Sequence, residues 1–154
     1  MMKSRVRGLS LSLAALALTQ TPAMAEAPFP DAAAAVEYRQ GVLKQMGEHS
    51  QSLAEVARGR APYDPEQVKA DVAEFRALAA KPWQAFHPGT EGGNARPEVW
   101  REPQKFADAA QLLQTRMAEL EAAADTGELA RVREAFGHTA NSCRACHDSF
   151  RQRR

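Results

Sequence analysis

Both cysteines of the chain lie in one short stretch near the C-terminus, Asn141-Ser142-Cys143-Arg144-Ala145-Cys146-His147-Asp148. Thiols three positions apart share one face of a helix, and the histidine directly after the second projects beside them. Cys-x-x-Cys-His is the pattern of c-type haem attachment. Each thiol adds to one vinyl group, so Cys143 and Cys146 would form two thioether bonds while His147 ligates the iron. Two other chemistries use a Cys-x-x-Cys pair. A zinc site needs four ligands, and the remaining histidines, His49, His87 and His138, are scattered along the chain. A redox centre of the thioredoxin kind needs a β-α-β setting, and no strand pattern precedes the motif. The residues favour covalent haem c, one per chain.

The N-terminus points to export. Lys3, Arg5 and Arg7 precede an apolar run from Gly8 to Leu18, and Ala23-Met24-Ala25 has the form of a cleavage site. Residues 1–25 therefore read as a secretory signal peptide, with Glu26 as the mature start. The apolar run is too short to span a bilayer, and no later stretch is apolar for long enough. Covalent haem attachment fits a compartment in which thiols are handled outside the cytosol, so the expected location is the bacterial periplasm. The remaining 129 residues suffice for one domain, 26–154. They carry 17 basic and 19 acidic side chains, a formal charge near −2. That balance leaves no basic footprint for nucleic acid, and no membrane partner is expected. With six Phe, two Tyr and two Trp, the haem itself would supply much of the apolar core.

Four helices would position the motif. Asp31 is a plausible N-cap before an alanine run, and Val36, Leu43, Met46, Leu53 and Val56 predict one buried stripe to about Arg58. Gly59 closes that helix as its C′ residue. Asp64 and Pro65 announce a second helix, with Val68, Val72, Phe75, Leu78 and Ala79 inward and Pro82 at its end. A loop of about twenty residues follows, Pro82 to Pro103, whose Trp83, Phe86 and Trp100 predict that it packs down. The third helix runs from about Pro103 to Ala124, with Phe106, Ala109, Leu113, Met117 and Leu120 on one face. The fourth runs from about Glu128 to Arg151, with Leu129, Val132, Phe136, Cys143, His147 and Phe150 on its stripe. Two short links and one long crossover describe an all-α, antiparallel four-helix bundle.

Function then depends on what faces His147 across the haem. The first helix borders the fourth in such a bundle, and its inward residue near mid-helix is Leu43, which has no donor atom. The iron would be five-coordinate. Met46 competes as a thioether ligand that would make a low-spin electron carrier, although buried methionines usually fill space. His49 sits among polar neighbours, and His87 and His138 read as surface residues. Bound dioxygen needs a hydrogen-bond donor, whereas nitric oxide and carbon monoxide do not. With only Leu43, Phe86 and Trp83 expected near the iron, those two gases are favoured. Arg151 stands four residues after His147, one helical turn on, either tuning the proximal ligand or solvated in the basic tail. Arg39 is either a partner for a haem propionate or a surface charge.

The chain resembles the cytochromes c′, the class II c-type cytochromes. The resemblance covers nearly all of the mature chain. It rests on Tyr38-Arg39-Gln40 with Leu43 and Met46, on Gly59-x-Ala61-Pro62-Tyr63-Asp64, on Pro82-Trp83-x-x-Phe86 with Pro88-Gly89-Thr90-Glu91-Gly92-Gly93, and on the haem motif with Arg151. It implies a five-coordinate iron screened by Leu43 and lined by Phe86, with Arg39 and Gln40 near the propionates and Arg151 beside the proximal histidine. It also implies a homodimer through the first two helices, and binding of nitric oxide and carbon monoxide. The low-spin cytochromes c556 share the bundle but carry methionine where this chain has Leu43. A binding protein rather than an enzyme is expected, since a peroxidase would need a distal acid–base pair. The alternative is a dedicated low-potential electron carrier serving an unidentified periplasmic redox partner in a respiratory or denitrification chain.

Overall fold

A computed structural model of the chain describes residues 29–152. The signal peptide assigned to residues 1–25 and the mature start at Glu26 lie outside them. Helix α1 (Ala32–Ala57) starts where the Asp31 carboxylate accepts the amide of Ala34 at 2.8 Å. It stops at Gly59, whose φ of +72° is a left-handed conformation that glycine adopts without strain. Helix α2 (Pro65–Ala79) starts at Asp64, which accepts the amides of Glu66 and Gln67 at 3.0 and 3.2 Å. Helices α4 (Pro103–Asp125) and α5 (Leu129–Phe150) are joined by a tight turn with Gly127 at φ +68°.

The crossover between α2 and α4 is more structured than a loop. It contains a 3₁₀ turn at Pro82–Ala85 and a single-turn helix, α3 (Glu98–Arg101). Trp83, Phe86 and Trp100 do pack it down. Phe86 lies 4.9 Å, centroid to centroid, from Phe106 of α4, and Phe106 lies 5.2 Å from Phe150 of α5. Trp83 and Trp100 tie their indole N–H groups to the carbonyls of Ala79 and His87, at 2.7 and 3.1 Å.

The four long helices pack in a ring, α1 on α2, α2 on α4, α4 on α5 and α5 on α1. Their directions alternate. At one end Lys69, early in α2, pairs with Asp125 at the end of α4, and Arg133, early in α5, donates to the carbonyl of Ala57 at the end of α1, both at 2.8 Å. At the other end the crossover meets the last residues of α5. The result is an antiparallel four-helix bundle, as the helix count and link lengths predict. Its core runs through Leu53, Val68, Val72, Leu120, Val132 and Phe136. Among the described residues no helix is long and apolar enough to cross a membrane.

The buried seam of α1 differs from the expected stripe in its first half. Ala35, Arg39, Val42 and Met46 are buried, whereas Val36 is half-buried and Leu43 is 36% exposed. The crossover lies on this half of the helix and rotates the interior toward Arg39. On α5 the interior likewise continues through Thr139 and Ser142, so Cys143 and His147 stand beside the seam.

Candidate haem-binding site

At the crossover end, between α1 and α5, the bundle encloses a cavity of about 430 Å³. That volume lies within the ~300–1,000 Å³ usual for cofactor sites. Cys143, Cys146 and His147 of α5 line one side, and Leu43 and Met46 of α1 line another. Phe86 comes from the crossover, and the walls continue with Phe106 and Phe150. Arg39, Gln40 and Arg151 border the same space. All eight candidate residues, drawn from three separate parts of the sequence, therefore meet at one cavity.

Arg39 is not a surface charge. It is 2% exposed, and its Nη1 donates to the carbonyls of Ala85 and Thr90, both at 2.7 Å, while Nη2 donates to Gly92 at 2.9 Å. The guanidinium also lies over two rings, 4.6 Å from the centroid of Phe86 and 5.5 Å from that of Trp100. Burial pushes its pKa below the usual guanidinium value, and the nearby Glu91 charge raises it in part. Its described hydrogen bonds all tie α1 to the crossover, while one flank still borders the cavity. Thr90, itself 1% exposed, tightens the same turn by donating to the carbonyls of His87 and Ala85 at 2.7 and 3.2 Å. Gln40 is exposed and lies against Gly93, where a β carbon would stand 2.6 Å from its Nε2. Gly93 has φ +60°, a left-handed conformation that favours glycine.

Arg151 is the C-cap of α5, with φ and ψ of −111° and 133°, and its amide still donates to the carbonyl of His147, four residues back, at 3.1 Å. It also forms an antiparallel bridge with Ala95. Arg96 donates its amide to Phe150 O, and Gln152 donates to Asn94 O, each at 2.9 Å. The side chain still reaches the cavity, and its charge, after partial burial, helps hold the His147 imidazole below its ordinary pKa while Asp148 opposes the shift.

The thiol chemistry separates the readings of the motif. Cys143 and Cys146 are free and half-buried. Burial raises both pKa values, that of Cys146 to about 11 with a further contribution from Cys143. Reactive redox cysteines require the opposite shift. Two protonated thiols and an imidazole on one wall, aromatic rings on the others and basic groups at the edge form a set that fits a c-type haem. Cys143 and Cys146 would hold the macrocycle and His147 would hold the iron.

The other candidate ligands divide. Met46 is 6% exposed and belongs to the core, yet it also lines the cavity. His49 is not on a wet face: its Nδ1 is hydrogen-bonded to Asp71 of α2, and its ring stacks on Phe75, 6.4 Å between centroids. His87 is half-buried, with its Nε2 buried without a partner among the described residues. His138 is exposed, as expected. The wall near Leu43 is less purely apolar than predicted, because Ser50, two turns further along α1, also lines the cavity. The indole N–H of Trp83 is already used by Ala79. Phe106 and Phe150 were legible only as stripe residues, and Asn94, Ala95 and Val99 gave no signal because their place depends on the path of the crossover.

Comparison with known proteins places this geometry. The family model described as Cytochrome C′ matches residues 34–151. The chain is 47% identical over 120 residues to cytochrome c′ of Alcaligenes xylosoxydans xylosoxydans, covering 78% of this chain and 94% of that protein. Its backbone is similar to a nitric oxide complex of a leucine-to-isoleucine mutant of cytochrome c prime from Alcaligenes xylosoxidans. The TM-score is 0.79 at 45% identity, over 81% of this chain and 99% of that one. A carbon monoxide bound leucine-to-glycine variant of the same cytochrome matches with the same TM-score, 0.79, identity and coverage.

Proposed function

The chain belongs to the cytochrome c′ family, and on that premise we propose that it is a periplasmic c-type haem protein that binds nitric oxide and carbon monoxide. One observation carries the reading: Cys143, Cys146 and His147 on α5 share a cavity with Leu43 on α1. Cys143 and Cys146 would hold the cofactor covalently, and His147 would ligate its iron. When bound, the haem would supply an iron able to take up a diatomic gas. Leu43 presents an aliphatic side chain on the α1 side and offers no hydrogen bond, which disfavours dioxygen relative to the other two gases. Arg39 holds the crossover, and with it Phe86, in place as part of the wall. The structures similar to this chain include nitric oxide and carbon monoxide complexes, which supports the same ligand class here.

The signal peptide expected at residues 1–25 supports periplasmic export, and the family supports a homodimer through α1 and α2. Leu43, Phe86 and Trp83 offer no acid–base pair, which supports a binding role rather than catalysis. A second reading rests on Met46: because it lines the same cavity, a thioether could complete the coordination and make the protein a dedicated electron carrier. The absorption spectrum of purified holoprotein separates the two. High-spin ferric and ferrous bands, with a ferrous form that changes on adding carbon monoxide, are expected. A low-spin spectrum indifferent to carbon monoxide would establish the carrier instead.

A further inference from the structure

His147 lies in the last turn of α5, which ends at Phe150. The last carbonyls of a helix have no partner within it, and helix ends fray. A ligand borne by such a turn shares its motion unless something outside the helix holds it. Here the crossover does so. The Arg151 amide closes the helical ladder on the His147 carbonyl at 3.1 Å. Beyond it, the Asp148 carbonyl accepts Nη1 of Arg96 at 3.3 Å, and the Phe150 carbonyl accepts the Arg96 amide at 2.9 Å. One crossover residue thus meets two of the carbonyls that the helix leaves over. The Arg96 guanidinium is aimed by Glu98, whose Oε2 accepts Nε at 3.2 Å, and its charge stands at the negative end of the helix dipole. Gln152 adds its amide to Asn94 O at 2.9 Å and its side-chain Nε2 to Ala95 O at 3.2 Å. The crossover is in turn fixed to α1, since Ala85, Thr90 and Gly92 all accept from Arg39.

We propose that Arg96 is a positioning residue for His147: by capping the end of α5 from the crossover, it keeps the last turn wound and so fixes the direction from which the imidazole meets the iron. This rests on the reading of His147 as the iron ligand and adds to it the group that holds that ligand in place. Asn94 and Ala95 border the cavity and Arg96 does not, so Arg96 acts through the helix end and not by touching the cofactor. A ligand is tuned by what orients it as well as by its own chemistry, and the strength of the iron–histidine bond should therefore report on a side chain outside the site.

The test compares wild-type, Arg96→Ala and Arg96→Lys holoproteins by two readouts. Arg96 is only half-buried, and both variants keep its backbone bond to Phe150, so the fold is retained. In Arg96→Ala the amides of Arg151 and Gln152 should exchange with deuterium about tenfold faster. The iron–histidine stretching band in the ferrous resonance Raman spectrum should broaden and move to lower frequency. Arg96→Lys keeps a cation within reach of the Asp148 carbonyl and should recover most of both changes. Faster exchange with an unmoved band would overturn the proposal, because Arg96 would then cap the helix without positioning the ligand. Unchanged exchange in Arg96→Ala, or no recovery in Arg96→Lys, would overturn it too. A wild-type holoprotein that shows no iron–histidine band would instead remove the reading of His147 as the ligand, and the proposal with it.

Discussion

The guanidinium carbon of Arg39 sits 4.6 Å from the centroid of the Phe86 ring, so a charged residue of α1 and an aromatic residue of the crossover share one interior position. The carbonyls of Ala85, Thr90 and Gly92 converge on that guanidinium. Removing the side chain leaves three acceptors without their donor, and an unsatisfied buried group costs about 1–3 kcal/mol. Arg39→Gln is therefore expected to destabilise the holoprotein by at least about 3 kcal/mol in guanidinium chloride unfolding. Arg39→Lys should recover only part of this, because a point-like ammonium cannot reproduce a planar fork. A loss below about 1 kcal/mol would fit an exposed residue and exclude the clamp.

Leu43 is 36% exposed and borders the cavity, so shortening it adds room without opening the core. Leu43→Ala should bind carbon monoxide faster, by about tenfold or more. An unaltered association rate would show that this side chain does not screen the site.

Leu43→Met places a thioether on the α1 wall of the cavity. The ferric and ferrous spectra should become low-spin, and carbon monoxide should bind more slowly because a ligand must first leave. High-spin spectra in this variant would mean that residue 43 does not face the iron.

Met46 is both core and cavity wall. Met46→Leu nearly conserves volume, so it should cost less than about 1.5 kcal/mol and leave the high-spin spectrum intact. A conversion from low-spin to high-spin would instead identify Met46 as the ligand and favour the electron-carrier reading.

On the proposed reading, Cys143 and Cys146 would provide the covalent anchors. Wild-type protein should retain peroxidase-type haem staining on a denaturing gel, and the double variant Cys143→Ala/Cys146→Ala should lose it. Staining that survives in the double variant would exclude thioether attachment at these positions.

The helices were legible because their signals are local. Asp31 and Asp64 cap the amides expected of them, and Gly59 and Gly127 end helices by conformations that other residues resist. The haem motif was legible because its chemistry needs adjacent residues. Arg39 was harder to read: a charged residue is normally exposed, and its three carbonyl partners lie 46 to 53 positions away. The end of α5 was only half legible: spacing places Arg151 one turn after His147, but the pairing of its backbone with Ala95, which ends the helix there, depends on the path of the crossover. The offset of the α1 seam has the same origin, since helical periodicity counts apolar residues and cannot register a buried arginine drawn inward by the crossover.

Met46, Phe75 and Leu113 form a partition across the bundle, because each belongs to the packed core and each also borders the cavity. Beyond it, Leu53, Val68, Leu120, Val132 and Phe136 meet one another without touching that space. The molecule thus has two ends with different sources of cohesion, and cooperative units of this kind open separately. In protein made without haem, amide hydrogens near Val68 and Val132 should exchange slowly while those near Leu43 and Cys143 exchange fast. With haem attached as proposed, maturation would be a one-sided event: half of the bundle would form as a template, and the cofactor would complete the other half.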